Sequence, residues 1–376
     1  MSIVASSQQG NRLETLQIVR AVASTSVVYS HLGSAPCFGG NGHLPCFGGF
    51  GVDMFFVLSG FVMAMLMASG QSGSRFVIGR ISRIVPLYWT LTTLILLVAV
   101  LRPDLLNSTT GNLSNYLRSI FFIPYFKENG TLMPLLFVGW TLNYEMFFYL
   151  CVWISLITLN KHAVWMTAGL VLVAQIGFGY YADSRVLNRF FGNYHMYEWA
   201  LGMIAYWVHH KRYLGNVSTK VMFAVGLAGY LFMATVEVKT VHISRLLLYG
   251  MPSFLVVCSI VRLEGILHSI PRTLGSALIG IGNASFSTYL SHIYVTQAVR
   301  KLLDEKLHVI DINSVLGVTL TLAVALVTGV LIHTFLDVPL SRWCKNRMEK
   351  VFEYLKDVSG ASRRRAREVH SQDSTR

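Results

Sequence analysis

About ten apolar runs, each close to the length a helix needs to cross a hydrocarbon layer, leave this chain few folds to adopt. They fall at 13–32, 51–69, 84–101, 138–159, 163–181, 194–209, 219–236, 246–262, 274–298 and 313–336. In lipid every backbone N–H and C=O needs a partner within the protein, so only helices and closed barrels can span, and runs of this length are helical. The expected fold is therefore all-α, a polytopic membrane bundle of about ten transmembrane helices. Composition agrees: 13% of residues are charged and 53% hydrophobic, where a soluble domain carries about 25% charged residues. The sixth run is the shortest and is interrupted by His195 and Glu198. The longest connection, 102–137, is polar and aromatic and suits the membrane interface.

The runs group residues 1–340 into one transmembrane domain and leave 341–376 as a basic tail. Met1 to Asn11 are polar and uncharged, without the basic segment, apolar run and cleavage site of a signal peptide, so none is expected to be removed. The formal charge is +13, and basic residues are dense in the tail, at Arg342, Lys345, Arg347, Lys350 and in Arg363-Arg-Arg-Ala-Arg367. That location is the positive-inside bias of a membrane protein, with anionic lipid as the neighbour, and does not point to nucleic acid. Lys and Arg are about twice as frequent on the side of the termini as on the other, which places both termini in the cytoplasm of a multi-pass inner-membrane protein. Cys151 and Cys258 lie in apolar runs, and Cys344 opens the tail. Cys37 and Cys46 sit in a duplicated Pro-Cys-Phe-Gly-Gly phrase and are either a disulfide or two free thiols in a glycine-rich turn.

Ionisable residues inside spans are costly and mark pathways or reactive sites. The first run carries Arg20 near its start and His31 near its end, with Gln17 and Ser24 on the same stripe. At 3.6 residues per turn both ionisable groups share one face, separated by roughly 16 Å. With the termini inside, His31, Asp53, Glu145, His195, Glu198 and His292 are expected in the outer half of the bundle, and Arg20, Arg80 and Arg83 toward the cytoplasm. The expected site has two ends.

His31 is a natural general base at neutral pH. Glu145 sits among aromatics in Trp140-Thr-Leu-Asn-Tyr-Glu145 and needs a partner or a proton. Asp53 either caps the second helix or joins the site. Arg80 and Arg83, three apart, can reach one anionic group together, or can be ordinary positive-inside charge. No zinc-like His/Cys spacing, phosphate-binding loop, nucleophile elbow or dinucleotide fingerprint occurs, so no metal and no permanently bound cofactor is expected. Asn107, Asn112 and Asn129 head Asn-x-Ser/Thr phrases in the predicted outer connection.

These phrases together resemble the membrane-bound acyltransferase family 3, whose members O-acetylate exopolysaccharides, O-antigens and Nod factors. The resemblance runs from about residue 12 to 343. It rests on the Arg20-to-His31 spacing, Gly51-Val-Asp-Met-Phe-Phe-Val-Leu-Ser-Gly-Phe61, Arg80-x-x-Arg83 with Ile84-Val-Pro86-Leu-Tyr88, and Trp140 to Glu145. Ser285-Phe-Ser-Thr-Tyr-Leu-Ser-His292 and Asp337-Val-Pro339 complete it. Asp337 stands where the family more often has glutamate. The resemblance implies an O-acyltransferase moving an acyl group, acetyl foremost, from acyl-CoA to a sugar hydroxyl of an exopolysaccharide or a lipid-linked sugar. In that reading Arg80 and Arg83 hold CoA phosphates, and Arg20 steadies a carboxylate or the donor. His31 takes the hydroxyl proton, Glu145 or Asp53 orients its imidazole, and an acyl-histidine is the mechanistic variant. The buried charges alone fit a second class equally, a transporter or flippase of a lipid-linked glycan.

Overall fold

The computed structural model describes residues 13–32, 47–105, 111–236, 244–265 and 271–373. Cys37, Cys46 and Asn107 lie outside them. The chain is an all-α bundle of α1 (Thr15–Ser30), α2 (Gly51–Ala68), α3 (Gly73–Leu101), α4 (Leu113–Ile120), α5 (Trp140–Thr158), α6 (Ala163–Tyr180) and α7 (Arg185–Phe191). It continues through α8 (His195–His210), α9 (Thr219–Thr235), α10 (Met251–Arg262), α11 (Arg272–Arg300), α12 (Val315–Ile332) and α13 (Val338–Asp373).

Each of the ten apolar runs is helical. Among the described residues, five helical stretches are long and apolar enough to cross a membrane: Gly51–Ala68, Gly73–Leu101, Phe137–Thr158, Ala163–Tyr180 and Val315–Leu355. The other apolar helices are shorter or more polar; α1 and α8 have 16 residues each. The third run starts later in the sequence reading than the helix does. α3 opens at Gly73, so Arg75, Arg80 and Arg83 ride on the same helix as the apolar stretch beyond Pro86.

Close backbone packing fixes how the central helices meet. A Cβ on Gly60 would fall 2.0 Å from the Trp199 carbonyl oxygen, and one on Gly202 1.9 Å from that of Val57. α2 and α8 therefore touch backbone to backbone, the arrangement small residues permit where lipid offers helices no hydrophobic reason to associate. α1 and α11 make the second such contact: a Cβ on Gly282 would meet the Gln17 carbonyl at 2.0 Å. Further along both helices His31 meets His292, so α1 and α11 run in the same direction.

Three π-turns interrupt the helical ladder among the described residues, at Leu246–Gly250, Lys301–Lys306 and His333–Asp337. Such widened turns concentrate at functional sites. The first follows Arg245 and the last ends on Asp337, two residues that matter below. The connection before α5 folds onto the middle of α3, where Tyr88 and Trp89 donate to the Ser119 and Ile120 carbonyls at 3.1 and 2.8 Å. It ends at Phe137, whose ring lies 6.2 Å from that of His31.

Candidate active site

His31 terminates α1, and its ring meets that of His292 edge to face at 5.1 Å between centroids. Each imidazole is held by its own helix: His31 Nδ1 lies 2.9 Å from the Val27 carbonyl and His292 Nδ1 2.7 Å from that of Tyr289. A carbonyl can only accept, so both Nδ1 atoms carry a proton, and in the neutral ring Nε2 carries the lone pair. His292 is fully buried, and its Nε2 has no hydrogen-bond partner among the described residues. Tyr289, one turn back on α11, lies 5.9 Å from the His292 ring and donates to the Val138 carbonyl at 3.2 Å.

Tyr289 is also a wall of a cavity of about 1190 Å³ that opens toward the N-terminal end of α1. Arg20, Arg75, Arg80, Arg83 and Glu145 line that cavity. Glu145 accepts from Ser59 Oγ at 2.9 Å and has Arg80 and Arg20 within electrostatic reach. Arg20 keeps an Nε with no partner among the described residues. Arg83 is committed differently: its Nη1 donates to the buried Asp337 at 2.5 Å and its Nη2 to the Asn283 carbonyl at 3.4 Å. Asp337 also accepts from His333 Nδ1 at 2.8 Å and from Ser287 Oγ at 3.1 Å. The π-turn that ends at Asp337 presents it to Arg83. Arg80 and Arg83 are thus not an equivalent pair, because a buried carboxylate already cancels the charge of Arg83.

Four depth assignments made from the sequence need correction, those of Glu145 and Asp53 and those of His195 and Glu198, which lie with Asp53. Glu145 is not level with His31. α5 is preceded by Phe137, which lies against His31, and eight further residues carry Glu145 roughly 12 Å inward along the helix, to the level of the arginines. Asp53 is likewise deep. α2 begins at Gly51 against the Ala23 carbonyl, where a Cβ would sit 2.4 Å away, so the second helix opens well below the end of the first. Neither position suits the orienting of His31 expected of these carboxylates.

Asp53 belongs instead to a second buried cluster. Arg245 straddles it, Nε to Oδ1 at 3.1 Å and Nη2 to Oδ2 at 2.7 Å, the two-pronged geometry that matches guanidinium to carboxylate. Tyr194 and Tyr249 flank the guanidinium at 5.5 and 5.0 Å. His195 donates from Nδ1 to Glu198 at 2.8 Å and stacks on Phe56 at 4.5 Å. One ligand atom each from Asp53, His195 and Glu198 falls within 4.8 Å of the others, a spacing that could hold a metal ion. Arg245, however, already covers both oxygens of Asp53 and supplies positive charge there. Sequence reasoning left Arg245 outside the site. Its only signal was a basic residue just before an apolar run that faces carboxylates in neighbouring spans.

Comparison with known proteins identifies the family. A family model described as an acyltransferase domain matches residues 13–334. The chain is similar to the exopolysaccharide production protein ExoZ of Rhizobium meliloti (strain 1021), 29% identical over 301 residues that cover 78% of this chain and 89% of the relative. No solved structure matches.

Proposed function

The chain belongs to the acyltransferase family whose model spans residues 13–334, and from that membership we propose the reaction, its donor and its acceptor. It is a membrane acyltransferase. The reading is an O-acyltransferase, foremost an O-acetyltransferase, that takes its acyl group from acyl-CoA and delivers it to a sugar hydroxyl of an exopolysaccharide or its lipid-linked precursor. The resemblance to a protein named for exopolysaccharide production supports the acceptor class. The protein sits in the inner membrane with both termini in the cytoplasm, residues 1–340 forming the catalytic domain and 341–376 the basic tail.

The observation that carries this reading is a row of neighbouring groups along α1 and α11. An arginine-lined cavity ends at Tyr289, Tyr289 touches His292, and His292 touches His31. The arginines suit the phosphates of a CoA entering from the cytoplasm. The roughly 16 Å from Arg20 to His31 is a span that a pantetheine arm can cover, bringing the thioester to the histidines. His31 Nε2 accepts the proton of the sugar hydroxyl, the alkoxide oxygen attacks the thioester carbonyl, and the C–S bond of the tetrahedral adduct breaks. The imidazolium returns its proton to the departing thiolate. In the variant route His31 Nε2 attacks the thioester itself and the sugar then deacylates it. Arg80 and Arg20 bind the donor, and Glu145 holds those two arginines in place rather than orienting His31. Arg83 and Asp53 act through their ion pairs as positioning residues.

Family membership favours acyl transfer over the glycan transport that buried charges alone would fit equally. The test is the acyl content of the cell's exopolysaccharide by proton NMR, in a deletion strain complemented with wild type or with an expressed His31→Ala protein. Loss of acyl signals in the deletion and in His31→Ala is expected. Unchanged acylation with altered polymer export would overturn the reading.

A further inference from the structure

A second, smaller cavity of about 640 Å³ adjoins the first and shares Leu13, Met65, Tyr206 and His210 with its wall. Its remaining polar lining is basic: His209 and Arg212 at the end of α8, and Arg262 at the end of α10. We propose that this cavity is a subsite for the 3′-phosphate end of the donor's nucleotide. The proposal rests on the acyl-CoA reading above and extends it.

Charge balance motivates a second subsite. Coenzyme A carries a diphosphate and, on its ribose, a separate phosphate monoester. The large cavity has four arginines, Arg20, Arg75, Arg80 and Arg83. Asp337 cancels Arg83 and Glu145 faces Arg20 and Arg80. The positive charge left over matches a diphosphate and leaves nothing for the monoester. The small cavity lies where a nucleotide leaving the mouth of the large one would go next.

The basic side chains there are held rather than free. Arg262 donates from Nε and Nη2 to the Leu214 and Gly215 carbonyls at 3.3 and 2.9 Å. Neutral carbonyls fix the direction of the guanidinium without cancelling its charge, so its remaining N–H groups stay available to an anion. Arg212 has a φ of 55°, a left-handed conformation that residues with a Cβ seldom adopt. The turn that enforces it is closed by Arg212 N to the His209 carbonyl at 3.0 Å and Gly215 N to the Arg212 carbonyl at 2.8 Å. Glu264, two residues past Arg262, lies within electrostatic reach of His209, but its carboxylate is engaged at the start of α1: Oε1 accepts from Glu14 N at 2.8 Å and Oε2 from Thr15 N at 3.0 Å. Ordinary positive-inside charge accounts for basic residues at these helix ends. It does not account for their facing a concavity that shares four wall residues with the donor cavity.

The test uses the full-length protein in proteoliposomes with acetyl-CoA and with 3′-dephospho-acetyl-CoA as donors. Wild type is expected to show a KM about tenfold higher for the dephospho donor at similar kcat, the effect of one charge-assisted contact. Arg212→Ala is expected to raise the KM for acetyl-CoA by a similar factor and the KM for the dephospho donor little. Arg262→Lys, which keeps the charge where deletion endangers the turn, is expected to have a smaller effect in the same sense. Equal KM values for the two donors in wild type, or equal losses for both in Arg212→Ala, would overturn the subsite. So would losses that follow the anionic-lipid content of the vesicles and not the donor, which would assign the cavity to a lipid headgroup. Failure of wild type to use either donor would instead overturn the acyl-CoA reading itself.

Discussion

His31 and His292 meet edge to face with centroids 5.1 Å apart, each ring pinned through Nδ1 to a carbonyl of its own helix. Pinning fixes the tautomer and turns both basic nitrogens away from the backbone. If His31 Nε2 is the base, His31→Ala should lower transfer at least about 100-fold, the usual worth of a positioned general base. His292→Ala should also lower kcat, with a smaller change in donor KM. Initial rates at matched expression check both. Wild-type turnover in His31→Ala would remove it from the chemistry.

The two arginines three residues apart should separate by phenotype. Arg80→Ala should raise the donor KM with little effect on stability. Arg83→Ala leaves the buried Asp337 with only His333 and Ser287 as partners and should cost about 3 kcal/mol of stability, as breaking a buried pair does. Combining it with Asp337→Asn should recover part of that loss. Thermal melts in detergent beside KM measurements distinguish the two behaviours.

Arg245 should be essential to folding because two carboxylates depend on it. Arg245→Ala leaves Asp53 and Glu198 buried beside one another and should lower the melting temperature sharply. Adding Glu198→Gln to that variant removes one of the two charges and should raise the melting temperature again. No recovery would mean that Arg245 acts through packing on Tyr194 and Tyr249 alone.

Gly282 holds α11 against α1 without touching the histidines. A Cβ there would meet the Gln17 carbonyl at 2.0 Å, so Gly282→Val should force the helices apart and lower activity while every site residue is retained. A conservative change on the outer face of α11, Leu274→Val, should leave activity unchanged; Leu274 is 52% exposed.

The bundle was legible in the sequence because apolar length is a local property. All ten runs became helices. What the sequence could not supply was depth. Glu145 and Asp53 were expected beside His31 because each lies early in its span. That inference assumes that spans begin at one level, whereas α2 starts against Ala23, far below His31. Partners across helices were hidden for the same reason. Nothing local links Arg83 to Asp337 or Asp53 to Arg245, which are 254 and 192 residues apart. His195 and Glu198, three apart on one helix, form a pair that the sequence reading did not draw, and they are buried with Asp53 where α2 and α8 touch at Gly60 and Gly202.

The central claim is that donor and acceptor reach one site from opposite ends of the bundle. The most direct measurement uses sealed proteoliposomes of uniformly oriented protein, with radiolabelled acetyl-CoA confined to the side of the termini and a sugar acceptor confined to the other. Label on the acceptor, absent with His31→Ala, is the expected result. Transfer only when donor and acceptor share a compartment would contradict the two-ended site.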